Sequence, residues 1–147
     1  MDPSDTRYVA AVESPNPATI LLVDDDPVIM MVYQAGLQRA GYNVLVAKNG
    51  QAGLELAATG HPDLILLDVR MPVLDGIEVL ARLAADSASR DIPVVMLSNY
   101  SEPAIVKKAL ALGAKQYLVK VGVTPAEVAG VVAQWLGARR KRSDNLG

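Results

Sequence analysis

Residues Ile20-Leu21-Leu22-Val23-Asp24-Asp25-Asp26-Pro27 run from four apolar positions straight into three carboxylates. A short, unbroken apolar run reads as a strand buried on both faces, the kind found in parallel sheets. Carboxylates crowded at its end repel one another and are costly to desolvate unless a cation compensates them. Hard oxygen ligands of this kind suit Mg²⁺, which takes one or two protein carboxylates and fills its other positions with water and phosphate. Asp26 has a second use, because an aspartate before proline is a good N-cap with proline at the first helical position.

A second strand ends the same way. Leu64-Ile65-Leu66-Leu67 closes on Asp68, followed by Val69-Arg70-Met71-Pro72 and Asp75-Gly76. In open α/β sheets, ligands bind outside the carboxyl ends of the strands. Acids at two such ends therefore suggest one shared site.

Five strands are expected at Thr19–Val23, Asn43–Ala47, Leu64–Asp68, Pro93–Ser98 and Gln116–Val119. Helices are expected between them. The first, Pro27 to Ala40, stops at Gly41, and the second, Gln51–Thr59, stops at Gly60. The third, Gly76–Ala85, has Asp75 as N-cap; the fourth, Glu102–Leu112, has Ser101 as N-cap and Gly113 after its end. The fifth begins at Thr124-Pro125-Ala126-Glu127, a capping box with proline at the first helical position. Strands alternating with helices over this length predict an α/β fold, a doubly wound five-stranded parallel sheet.

The chain has 147 residues, 51% of them hydrophobic, enough for one domain with a real core. A net charge of −2 gives no global pull toward nucleic acid or an anionic membrane, and no direct contact with either is expected. The absence of cysteine excludes a disulfide scaffold, a thiol nucleophile and a zinc–thiolate site. The acidic start lacks the apolar segment of a signal peptide, and no apolar stretch reaches membrane-spanning length. A cytoplasmic protein is expected. Residues 1–17 read as a flexible leader, 18–137 as the ordered domain and 138–147, with Arg139-Arg140-Lys141-Arg142, as a basic flexible tail.

With Pro93-Val-Val-Met-Leu-Ser98 and Gly113-Ala-Lys-Gln-Tyr-Leu-Val-Lys120 added to the two acidic stretches, the chain resembles a bacterial response-regulator receiver domain over 18–137. The resemblance implies a flavodoxin-like strand order, 2-1-3-4-5. It also implies roles: Asp68 as phosphoacceptor, and Asp24 and Asp25 as the acidic pair that holds Mg²⁺ together with Asp68 and the backbone carbonyl of Arg70. Ser98 stands where the family bonds the phosphoryl group, Lys120 where it has its lysine, and Tyr117 at its aromatic switch position. The phosphoryl donor implied is a histidine kinase or histidine phosphotransfer protein.

Elementary chemistry agrees with those roles. A carboxylate can act as nucleophile toward phosphorus, giving an acyl phosphate. The transferred group is nearly metaphosphate, so catalysis is mostly in-line positioning and neutralisation of its oxygens. Arg70 and Tyr100 lie two residues beyond Asp68 and Ser98, and with Asn99 are expected at the rim of the site.

The sequence departs from the family at two points. Val121 follows Lys120 where a proline, often cis, is usual; a non-proline cis bond costs roughly 2.5–4 kcal/mol, so a trans bond and a rearranged loop are expected. Asn99 replaces a smaller residue beside Ser98 and is expected to crowd the hydroxyl. Elsewhere, His61 reads as a solvated turn residue, Lys107 and Lys108 as a solvated helix face, and Met30, Met31 and Met96 as core or near-core.

A phosphorylatable receiver that signals by protein contact is the leading reading. A receiver fragment of a larger regulator or hybrid kinase, and a receiver-like binding module without useful phosphotransfer, are the alternatives. The Asp24-x-Asp26 spacing also fits a haloacid-dehalogenase-type phosphatase. That enzyme needs a late strand-end acid, and Glu102, Glu127 and Asp144 do not supply one. The family commonly signals through the face of helix four, strand five and helix five. A salt-bridged dimer there is not expected, since Lys115-Gln116 precede Tyr117 where acids are needed. Val128–Leu136 is instead apolar around most of its circumference. Either its residues are core with alanines outside, or the helix carries an apolar partner or homodimer surface that includes Val131 or Trp135.

Overall fold

Two sets of side chains alternate along the central strands and divide the core in two. In the computed structural model, which describes residues 17–146 with side chains through Gly137, β1 is Thr19–Val23 and β3 is Leu64–Leu67. Leu21, Val23, Ile65 and Leu67 face one side of the sheet; Ile20, Leu22, Leu64 and Leu66 face the other. Successive strand residues point to opposite faces, so an all-apolar strand needs cover on both. Between β1 and β3 run α1 (Pro27–Arg39), β2 (Asn43–Ala47) and α2 (Gly50–Thr59). After β3 come α3 (Gly76–Ala85), β4 (Val94–Ser98), α4 (Pro103–Ala111) and β5 (Gln116–Val119). A single 3₁₀ turn, Lys120–Gly122, leads to α5 (Pro125–Leu146).

The sheet is parallel throughout, in the order β2-β1-β3-β4-β5. Ala57 of α2, Val79, Leu80 and Leu83 of α3 and Ala109 of α4 cover one face. Met30, Tyr33 and Leu37 of α1 and Val128, Val132 and Leu136 of α5 cover the other. The chain leaves β1 toward β2 and then returns across to β3, which makes the β1/β3 edge the point where a crevice opens. Register places that edge level: Val23 pairs with Leu67, so Asp24 and Asp68 follow side by side.

Several elements differ from expectation in detail. α2 begins at Gly50, one residue early, because the Asn49 side chain accepts the Ala52 N–H. Ser101 does not cap α4; Glu102 holds the cap position without a side-chain bond. Met31 is not near-core but 68% exposed, because α1 turns Met30, Tyr33 and Leu37 inward and Val28, Met31 and Val32 outward. Met30 and Met96 are buried, and His61 is exposed with φ 47°. The capping box is present: Thr124 Oγ1 accepts the Glu127 N–H, and Glu127 Oε1 accepts the Thr124 N–H.

α5 runs on as helical backbone to Leu146, beyond residue 137. Arginine and lysine propagate a helix well, and an interior glycine such as Gly130 or Gly137 costs only about 1 kcal/mol. The leader expected over 1–17 lies, but for Pro17, outside the described residues. Val131 and Trp135 are half-buried against the α1/α5 core layer, and Trp135 Nε1 donates to Gln116 Oε1. The outer face of α5 is Ala126, Glu127, Gly130, Ala133, Gln134 and Gly137. Small residues therefore occupy most of its outer face, while Val131 and Trp135 keep part of their surface exposed.

Candidate phosphoacceptor and cation site

Strand ends deliver every acid of the site. Asp24 leaves β1 buried, 1% exposed, and its Oδ1 accepts the Asp26 N–H at 3.0 Å. Asp68 leaves β3, also buried, and its Oδ1 accepts the Val69 N–H at 2.7 Å. Asp25, in the turn between β1 and α1, is exposed. Each of these three carboxylates offers an oxygen within 4.8 Å of the others. That is a hard, anionic donor set with one open side, which fits a divalent cation.

Asp26 does different work. Its Oδ1 accepts the Val28 and Ile29 N–H groups at 2.9 and 3.2 Å, capping α1 as expected. An acid committed to the helix N-terminus is not turned toward the cluster, which removes the phosphatase alternative's second aspartate.

Lys120 arrives from the end of β5. Its Nζ lies 2.6 Å from Asp24 Oδ2 and 3.1 Å from Asp68 Oδ2, with the side chain 8% exposed. Burial lowers the ammonium's proton affinity, but the bond to Asp24 and the charge of Asp68 outweigh it and hold the pKa above the usual lysine value. Burial likewise raises Asp24, only partly offset by Lys120 and the Asp26 N–H. The causes differ: burial dominates for Asp24, with the Asp68 charge a minor addition, whereas for Lys120 the two carboxylates overcome burial.

Ser98 ends β4, 1% exposed, and its Oγ accepts the Tyr100 N–H at 3.1 Å. The Tyr117 hydroxyl donates to the Tyr100 carbonyl and also lies beside Ser98; burial first, and Asp68 after it, raise its pKa despite the Ser98 contact. The Arg70 guanidinium stacks 3.9 Å above the Tyr100 ring. Tyr100 thus joins the loops after β3 and β4: its ring takes Arg70, its N–H takes Ser98 and its carbonyl takes Tyr117.

Asn99 is exposed, and its Oδ1 accepts the Val121 N–H at 3.0 Å, which ties its amide to the β5–α5 loop. The Lys120–Val121 peptide is trans, as the lack of proline led one to expect.

The loop after Asp68 requires glycine at position 76. A Cβ on Gly76 would collide with the Asp68 carbonyl oxygen, and the Gly76 N–H bonds Val69 O. The Asp75-Gly76 pair was the visible signal; the contact that demands glycine spans the β3–α3 loop.

Comparison with known proteins agrees with this geometry. The family model described as response regulator receiver domain matches residues 20–129, and the chain belongs to that family, a signalling module of two-component systems. The alkaline phosphatase synthesis transcriptional regulatory protein PhoP of Bacillus subtilis is 41% identical over 109 residues, 74% of this chain and 44% of that protein. The chain spans about half the length of the curated relatives it matches. A CheY-like receiver domain protein from Methanospirillum hungatei is 25% identical with a TM-score of 0.80, covering 86% of this chain and 98% of that one. The receiver domain of a sensor histidine kinase from Pseudomonas aeruginosa is 31% identical with a TM-score of 0.75, covering 82% and 98%. That neighbour has a magnesium ion coordinated in its active site cleft. Receiver domains bind Mg²⁺ at their acidic site, and this chain has the acid cluster for it. Among the described residues, no helix is long and apolar enough to cross a membrane.

Proposed function

We propose that Asp68 accepts a phosphoryl group from a phosphohistidine donor, and that this receiver signals by protein contact from the cytoplasm. The observation carrying the reading is a buried strand-end carboxylate shared between a backbone N–H and the Lys120 ammonium, with two further carboxylates alongside. Asp68 Oδ2 attacks phosphorus in line, the P–N bond to the donor imidazole breaks, and the imidazole nitrogen keeps the electron pair and takes a proton. Lys120 moves from the carboxylates onto a phosphoryl oxygen as charge develops there. Ser98 Oγ, whose proton is free to rotate, donates to another.

Asp24, Asp25, Asp68 and the Arg70 carbonyl would hold Mg²⁺. When bound, it supplies the positive charge that three carboxylates and a phosphoryl group need. Turning Ser98 toward the phosphoryl group loosens its bond with the Tyr100 N–H, and Tyr117, bonded to the next carbonyl, follows. That is the proposed switch, read by a downstream partner at the α4–β5–α5 face. Direct nucleic-acid contact is left out of the proposal on the net charge of −2.

The donor surface is better supported on α1. Val28, Met31 and Val32 are 66, 68 and 46% exposed on one helical stripe that begins beside Asp25. A histidine-bearing helix laid on that stripe would bring its imidazole to the site. Incubation with Mg²⁺ and acetyl phosphate, followed by intact mass, tests the chemistry; a gain of one phosphoryl group is expected.

Two substitutions separate neighbouring acids. Asp25→Ala should slow that labelling by tenfold or more. Asp26→Ala should leave most of the rate and instead lower stability by about 1 kcal/mol through loss of the α1 cap. Equal effects on labelling would contradict the division.

The Arg70–Tyr100 stack has its own consequence. A cation over an aromatic ring at an exposed site contributes about 0.5–1 kcal/mol, enough to hold both side chains over the loop edge. Replacing both with alanine should shorten the acyl-phosphate lifetime severalfold, followed as decay of the phosphorylated mass. An unchanged or longer lifetime would contradict shielding.

A further inference from the structure

We infer that Asn99 is a positioning residue for Lys120, acting as a side-chain rung that extends the β4–β5 pairing beyond the strand ends. The inference deepens the proposed role of Lys120 and rests on it. The last backbone pair of these strands is Ser98 with Val119. The next residue along β5 is Lys120, and the one after, Val121, gives its N–H to Asn99 Oδ1 at 3.0 Å. Lys120 is therefore held from both sides, by the ladder at Val119 and by Asn99 at Val121.

Little else fixes this loop. None of Lys120, Val121 and Gly122 is buried as a residue, and the Val121 side chain is 84% exposed. Its one internal bond, Val123 N–H to Lys120 O, is long at 3.3 Å. The ammonium at its start is nevertheless set within 3.1 Å of two carboxylates. A flexible four-carbon stem keeps such a position only if its backbone is anchored.

The two departures from the family pattern explain each other. Proline at 121 would have no N–H to give and would fix the loop through its ring. Valine at 121 leaves a donor, and asparagine at 99 accepts it. A residue that at first suggests obstruction of Ser98 instead does the anchoring that a ring would do.

Obstruction and anchoring predict opposite signs. In the acetyl phosphate assay, Asn99→Ala should slow phosphorylation of Asp68 roughly tenfold, since sub-ångström misplacement of a reacting group is costly. Val121→Pro removes the donor, so Asn99→Ala should have no further effect in that background. An unchanged or faster Asn99→Ala, or additive effects in the double variant, would overturn the inference. If Val121→Pro does not fold, NMR of Asn99→Ala alone decides. The Val121 amide should exchange faster and the Lys120 ammonium signal should shift; if neither moves, the rung does not hold Lys120. Asp68→Asn in the same assay separates the two levels. Labelling that survives it sinks the phosphoacceptor reading, whereas its loss beside a normal Asn99→Ala sinks only the rung.

Discussion

Asp68→Asn should abolish the gain of one phosphoryl group on incubation with Mg²⁺ and acetyl phosphate. The amide has nearly the carboxylate's shape and can still accept the Val69 N–H that Asp68 Oδ1 takes at 2.7 Å, so the fold is retained. It lacks the anionic oxygen that attacks phosphorus, and no neighbour can replace it. Asp24 is buried and engaged by Lys120 and the Asp26 N–H, Asp26 caps α1, and Asp25 is exposed at the rim. Labelling of the variant at the wild-type rate would place the nucleophile elsewhere and refute the assignment.

Lys120→Met carries the largest expected cost to stability. It leaves Asp24 and Asp68 buried and adjacent without the ammonium that compensates them. Removing one partner of a buried ion pair costs about 3–5 kcal/mol, and the low end applies here because Asp24 can take up a proton. The sign with pH follows from the raised Asp24 pKa. A carboxyl that binds its proton more tightly folded than unfolded favours the folded state at low pH, and this advantage is lost as pH rises through the folded pKa. The variant's deficit should therefore be smallest at acid pH and grow toward neutrality. In the wild type, the raised Lys120 pKa adds stability that is fully present below the ordinary lysine value and disappears only as pH climbs through the higher folded one. Urea denaturation of both proteins across pH, without divalent cation, measures this; a deficit independent of pH would refute the coupling. Phosphorylation should fall as well, since the charge that meets the phosphoryl oxygens is gone.

Much of the site was legible because its residues sit at strand ends. Ile20–Val23 and Leu64–Leu67 are unbroken apolar runs, so both strands had to be interior and parallel, and the acids following them had to meet at one edge. Asp26 as a cap was legible for the same local reason, its place before Pro27. Met31 misled because it adjoins Met30 in sequence, although neighbours on a helix point about 100° apart; which of the two turns inward depends on where α5 lies against α1. The backbones approach closely there, where a Cβ on Gly36 would sit 2.8 Å from Pro125 Cβ. Trp135 and Val131 could not be placed from the pattern, because an apolar helix has no visible outside until Ala133, Gly130 and Gly137 are seen to occupy it.

By itself, then, the sequence determined the alternation of elements, the parallel sheet and the acids of the site, since strand burial and strand-end placement are local properties of hydrophobic pattern. Only the tertiary structure decided which charges pair, what Tyr100 joins and what Asn99 does. Lys120 meets Asp24 and Asp68, Tyr117 meets Tyr100, and Asn99 meets Val121 across separations set by sheet order and register. No local pattern encodes those contacts, because each depends on where β5 lies beside β4 and how the chain turns after both.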